Sequence, residues 1–332
     1  MKRLAVALFA IAACGSVPKR TAVLLPEGKV GIGFDDLRYS PSLGRVLVPA
    51  GRTGRLDLVD PRTLAIATVS GFTSKPAYRG GHDDGPTSVD EALGLLYVTD
   101  RTAQSLVTVD VKRAKVVGRT ALASEPDYVR FAAATRELWV TEPGAEKLEI
   151  FALESDGTPR PTATVPITNG PESLVFDARR GRAYTHRWEH TTVVLDVARR
   201  SVVAEWPNGC QASRGIALDE ARGLLFAACS EGTVSVLDLE HDGRLLSKSS
   251  SGSGFDVMGY SPALGHLYLA GGRCSCFVVL GVDAAGTLKL LGREKAPPST
   301  HCATADDQGH AWVCNPAAGE LWRFDDGFPK SS

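Results

Sequence analysis

The chain has 332 residues, 43% hydrophobic and 23% charged, a composition that builds a real core and excludes a disordered tail protein. Its formal net charge of −1 shows no electrostatic footprint for nucleic acid or an anionic lipid surface. The 34 glycines and 19 prolines are spread along the whole length, as many short turns require.

Lys2 and Arg3 precede a ten-residue apolar run, Leu4 to Ala13, which is too short to span a bilayer as a permanent helix. This is the layout of a secretory signal. Small residues then lead directly to a cysteine, and Ile11-Ala12-Ala13-Cys14 resembles the recognition box of bacterial lipoproteins. The resemblance implies that residues 1–13 are a removed signal peptide and that the Cys14 thiol is lipidated and becomes the new N-terminus. Lipid chains on one residue would then hold the protein to a membrane surface. Residues 14–20 would form a short linker. In a Gram-negative cell, Gly15 rather than Asp after the cysteine implies the outer membrane. The other reading is a plain cleaved signal with a coincidental cysteine. Loss of Lys2 and Arg3 leaves 35 basic residues against 38 acidic, so nucleic acid is no partner on either reading.

One pattern then recurs to the end of the chain. Short strands follow a turn residue at 44, 94, 136, 181, 223, 265 and 309, at spacings of 50, 42, 45, 42, 42 and 44. Among them are Leu95-Leu96-Tyr97-Val98-Thr99-Asp100 and Ala311-Trp312-Val313-Cys314-Asn315. A third strand often ends in Asp, as in Leu106 to Asp110 and Val234 to Asp238. Seven such copies, rich in β-branched and aromatic residues, predict an all-β, seven-bladed β-propeller of four-stranded antiparallel blades over residues 21–328, with 329–332 as a tail. The last copy ends after Leu321-Trp322-Arg323-Phe324 without a fourth strand, and Thr21 to Leu25 is a spare apolar segment before the first. Pairing these two closes the ring.

The units Leu96-Tyr97-Val98-Thr99-Asp100 and Trp312-Val313-Cys314-Asn315-Pro316 resemble the YVTN-type propeller repeat family. The resemblance runs over the mature chain and is best between Gly85 and Leu122. It departs in the fourth copy, at Tyr184-Thr185-His186-Arg187, and in the sixth, at Gly271 and Gly272. No Trp-Asp dipeptide occurs, which disfavours a WD40 assignment. Members of this group include extracellular binding proteins, surface-layer components and domains attached to redox enzymes, so the repeat specifies a fold rather than an activity.

No nucleophile elbow, phosphate-binding loop, His-Glu-x-x-His or haem-attachment motif is present. In a propeller, however, the innermost strand of every blade begins at one mouth of the central channel. Nine residues before each repeat marker the column reads Asp35, Gly85, Asp127, Glu172, Arg214, Asp256 and Thr300. Asp36, His82, Asp83, Asp84 and His301 lie close to it in sequence. Four carboxylates held together raise one another's pKa until a cation or Arg214 relieves them. Asp35, Asp127, Glu172 and Asp256 are thus candidate ligands for a divalent ion, Ca²⁺ if oxygen alone binds it and Zn²⁺ if His82 or His301 joins. The alternative is a hydrated channel neutralised by Arg214. With a metal the arrangement resembles lactone-hydrolysing propellers, which implies His301 as a base. The asparagine ligands common in that group are missing from the column.

Six cysteines remain in the mature chain, an even number that implies disulfides in an exported protein. In a hairpin turning around Asp307-Gln308, Cys302 and Cys314 fall opposite each other. Cys210 and Cys229 flank the corresponding hairpin of the fifth copy. Cys274 and Cys276, one residue apart, are free, bridged or bound to a soft metal. The functional expectation is a monomeric, non-catalytic binding or scaffolding propeller of the cell envelope, held to the membrane by its lipid and meeting an envelope protein or small ligand at the channel mouth. A metal-dependent hydrolase is the alternative. A partner of an envelope redox enzyme is a third reading, with no cofactor motif behind it.

Overall fold

The computed structural model describes residues 19–331. Seven four-stranded antiparallel sheets follow one another around a central channel, and blades 2 to 6 are each built from consecutive strands. Blade 1 runs outward through Arg38–Ser40, Arg45–Pro49, Arg55–Val59 and Ile66–Ser70. Blade 7 takes Ala303–Ala305, His310–Asn315 and Glu320–Asp325 from the C-terminal end, and Arg20–Leu24 from the N-terminal end. The register there sets Ala22 opposite Trp322 and Val23 opposite Leu321. Ring closure by an N-terminal strand is therefore as the repeat count predicts. No helix among the described residues is long and apolar enough to cross a membrane.

Burial explains why the repeat shows in the sequence. The second and third strands of each blade are covered on both faces by neighbouring blades, so they read as continuous apolar runs. Leu96, Tyr97 and Val98 are all fully buried. The outermost strand meets solvent, and in Lys115–Ala121 it alternates between exposed and half-buried residues. Three residues after the repeat marker stands a large side chain in every blade: Leu47, Tyr97, Trp139, Tyr184, Phe226, Tyr268 and Trp312, none more than 1% exposed. These wedges fill the space between blades, and each aromatic one is worth about 3–5 kcal/mol against alanine.

The inner strands are less regular. In blades 4, 5 and 6 the register slips near the channel mouth, between Glu172 and Val175, Ser213 and Ile216, and Phe255 and Met258. Such bulges bend the strand and re-aim its side chains. Ser173 adopts φ 60° inside the first of them. Gly215 lies in the second because blade 6 passes so close that a Cβ would collide with the Asp256 carbonyl.

The cysteines form three disulfides: Cys210–Cys229, Cys302–Cys314 and Cys274–Cys276. The first two close loops with sequence separations of 19 and 12, and loops of that size stabilise by about 3 kcal/mol each. After blade 7 the chain runs back along blade 6. Asp326 accepts hydrogen bonds from His266, at 2.7 Å, and from the Tyr268 hydroxyl. The Ser331 amide donates to the Leu264 carbonyl at 2.9 Å. Cys14 and the residues read as a signal peptide lie outside the described residues.

Candidate functional site

The inner strands and the segments that lead into them bring the charged residues of the predicted column to one mouth of the channel. Asp35 enters from blade 1, Asp127 from blade 3, Glu172 from blade 4, Arg214 from blade 5 and Asp256 from blade 6. Asp35 is 4% exposed, Asp127 6% and Glu172 9%, so these charges face one another rather than bulk water. Gly85 and Thr300, at the remaining two positions, add no charge. In their place the loop of residues 80–85 carries His82 over the mouth. Its ring lies 3.1 Å from the Asp35 carboxylate and 5.3 Å, centre to centre, from that of His301. Gly85 anchors the loop at φ 69°, packed so closely on the Gly51 and Thr73 carbonyls that no side chain would fit.

Two members of the site do not stand in the predicted column. Arg101 places its guanidinium 3.3 Å from Asp127, 3.5 Å from Asp83 and 3.8 Å from Asp35. Trp188 donates its indole N–H to the Glu172 carboxylate. Both stand seven positions after their repeat markers, where the second strand has ended and the chain turns back at the same mouth. A second column read at that offset would have found them.

Asp36 is not at the mouth. Adjacent strand-like residues point to opposite sides, and its side chain is buried deeper in the channel, 2% exposed. Arg130 donates to both its oxygens, at 2.7 and 2.9 Å, and the Ser88 hydroxyl donates at 2.7 Å. With Tyr128 this pair lines the buried end of a cavity of about 510 Å³ whose rim includes Pro41, Pro262 and Asp307. Asp84 is half-buried and makes no side-chain hydrogen bond among the described residues, while Asp83 is largely exposed, 74% by side chain. His186 is part of the core: it is fully buried beside Thr192 and Asn208, and that burial holds its ring down to about 4.

The electrostatics of the mouth divide its carboxylates. Burial pushes Asp35 up, but His82, Arg101 and His301 outweigh it and leave the group below its ordinary value. In return Asp35 raises His82 to about 10 against the opposing effect of burial. Asp127 goes well above the carboxylate range, through burial and then the charges of Asp35 and Glu172. Glu172 is pushed up to about 7, by burial and then Asp256, with Arg214 and Trp188 opposing. Asp256 is raised by burial, against the pull of His301, His82 and Arg214. One firm ion pair, two arginines and three carboxylates inclined to hold protons make up the mouth. Such a set offers hydrogen-bond donors and acceptors to a ligand.

Among the described residues, His82, Asp256 and His301 bring ligand atoms within 4.8 Å of one another. The other sets of that kind contain cysteines already joined in disulfides. Both nitrogens of His301 face backbone carbonyls, of Ser299 and of Phe34, each at 2.8 Å. His301 thus bridges blades 7 and 1.

No protein-family model matches the sequence, and no curated protein is significantly similar to it. Solved structures are similar over nearly the whole chain. A chain of the Kuenenia stuttgartiensis hydrazine synthase has a TM-score of 0.72 at 11% identity, covering 88% of this chain and 95% of that one. A chain of the mitotic checkpoint complex gives 0.74 at 11%, covering 98% and 99%. The U3-55K protein gives 0.74 at 10%, covering 92% and 98%. At such identities the likeness shows the fold. The chain is a seven-bladed β-propeller.

Proposed function

We propose that this propeller is an exported, lipid-anchored protein of the YVTN kind that binds a partner protein of the cell envelope at its charged mouth, without catalysing a reaction. Three disulfides favour an oxidising, extracytoplasmic setting. One observation carries binding over chemistry: the charged groups of the mouth are occupied with one another. Asp35 is held by His82, Asp127 by Arg101 and Glu172 by Trp188. The exposed rim, Asp83 and Trp188, is what a partner would meet. Trp188, 38% exposed, is the residue type that most often anchors an interface.

The metal-dependent hydrolase has one observation in its favour, the approach of His82, Asp256 and His301. The residues do not fit the ion as they stand. His82 would have to give up its pairing with Asp35, and His301 a carbonyl contact. No step is derived through a metal.

The test is capture of envelope proteins on the wild-type chain and on the Asp83→Lys/Trp188→Ala variant, with melting curves to show that both are folded. A partner held by the wild type and lost by the variant is expected. Equal capture by both, or none by either, contradicts recognition at this rim. Separately, Cys14→Ala is expected to move the protein from the membrane to the soluble fraction. Retention at the membrane would contradict the anchor.

A further inference from the structure

Two of the three disulfides close loops within one blade, with sequence separations of 19 and 12. The third, Cys274–Cys276, spans Ser275 alone. What a bridge contributes to stability grows with the loop it closes in the unfolded chain, and a loop of one intervening residue contributes least. Holding the fold together is thus a poor reason for this bond to exist.

Its surroundings suit exchange instead. The bond lies in the turn of residues 272–275, between the second and third strands of blade 6, His266–Gly271 and Cys276–Val282. The turn opens on the face that carries the charged mouth, with Gly272 against the backbone of Ser299 and Thr300. The two sulfurs are unequal. Cys276 is 3% exposed and packs in the core with Phe255 and Val278. Cys274 is half-buried, and the Ser253 amide N–H lies 3.4 Å from its Sγ. Arg273, next in sequence, is exposed, and its guanidinium reaches the Ser230 hydroxyl at 2.6 Å. An amide donor is one of the groups that stabilise a thiolate. Ser275 adopts φ 45°, a conformation that costs a residue other than glycine, and reduction frees the turn to leave it.

We propose that Cys274–Cys276 is a redox-active disulfide that exchanges with thiols on this face of the propeller. An incoming thiolate forms a bond with Cys274 Sγ as the Cys274–Cys276 bond breaks. The electron pair leaves on the Cys276 sulfur, which takes up the proton that the incoming thiol gave up. A second thiolate attacks the outer sulfur of the mixed disulfide and releases Cys274, which is protonated in turn. Two thiols are oxidised to one disulfide, and the bridge is reduced to a dithiol by two electrons and two protons. This goes beyond the binding role and does not rest on it.

The test equilibrates the fully oxidised, folded chain in glutathione buffers of rising reduced fraction, then alkylates free thiols and reads each cysteine by peptide mass spectrometry. Half-reduction of Cys274–Cys276 is expected at a reduced-glutathione level at least about tenfold below that needed by Cys210–Cys229 or Cys302–Cys314, with the far-ultraviolet circular dichroism unchanged. A bridge that opens only together with the other two, or only on unfolding, overturns the proposal. Two single variants test the direction of attack. Cys276→Ser is expected to form a mixed disulfide between Cys274 and oxidised glutathione, and Cys274→Ser to leave the buried Cys276 unmodified. Modification of Cys276 alone, or of neither, overturns the assignment of Cys274.

Discussion

His186 and Glu172 both have pKa values displaced by burial, and they make opposite contributions to the pH dependence of stability. His186 is held down to about 4 when folded and returns to about 6.5 in the unfolded chain. Between those values the unfolded state binds the proton that the folded state refuses, so acidification costs stability, by about 2–3 kcal/mol over two pH units. Glu172 stands at about 7 when folded, above its unfolded value. Its contribution is present at low pH and is lost as the pH rises through 7. The two slopes oppose each other in the wild type, so the His contribution is read by difference. His186→Gln is expected to lose about 2–3 kcal/mol less than the wild type on going from pH 7 to pH 4.5, measured by denaturant unfolding. Parallel losses would contradict a neutral buried imidazole. Neither displacement shows in the residues around each position. Asp35 and Asp36 make the same point: neighbours of one type in the sequence, one joins His82 at the mouth and the other joins Arg130 inside.

At the scale of the element, the strands with two covered faces were the legible ones. Leu96 to Val98 and Leu267 to Leu269 have no solvent side, so nothing dilutes the apolar run. The inner strands gave a usable column of mouth residues, but not the bulges in blades 4 to 6. Those are set by contacts between blades, such as the approach of Asp256 to Gly215, and leave no local pattern. Arg101 and Trp188 lie just beyond the strand that carries the repeat, where the chain turns back and the pattern of the strand has ended. The closing strand Arg20–Leu24 supplies another test. It covers the edge of Glu320–Asp325 and puts Val23 and Leu25 into the core. A chain lacking residues through Leu25 is expected to lose cooperative melting and to self-associate, because an uncovered strand edge pairs with other chains. An unchanged melt and a monomeric elution profile would contradict closure by this strand.

Over the whole molecule, a ring of wedge-shaped side chains packs blade against blade, and one group of buried charges gathers at a single mouth. In the proposed reading the polar groups of this mouth are partnered with one another rather than with an ion. Three cations, His82, Arg101 and Arg214, stand among four carboxylates, of which Asp127, Glu172 and Asp256 are raised toward the protonated form. The most direct measurement is metal analysis of the purified mature chain, paired with its thermal melt with and without chelator and with added Ca²⁺ or Zn²⁺. No stoichiometric ion and a melt indifferent to all three are expected. A bound ion in stoichiometric amount, whose removal lowers the melt, would contradict the proposed reading and make the mouth a metal site.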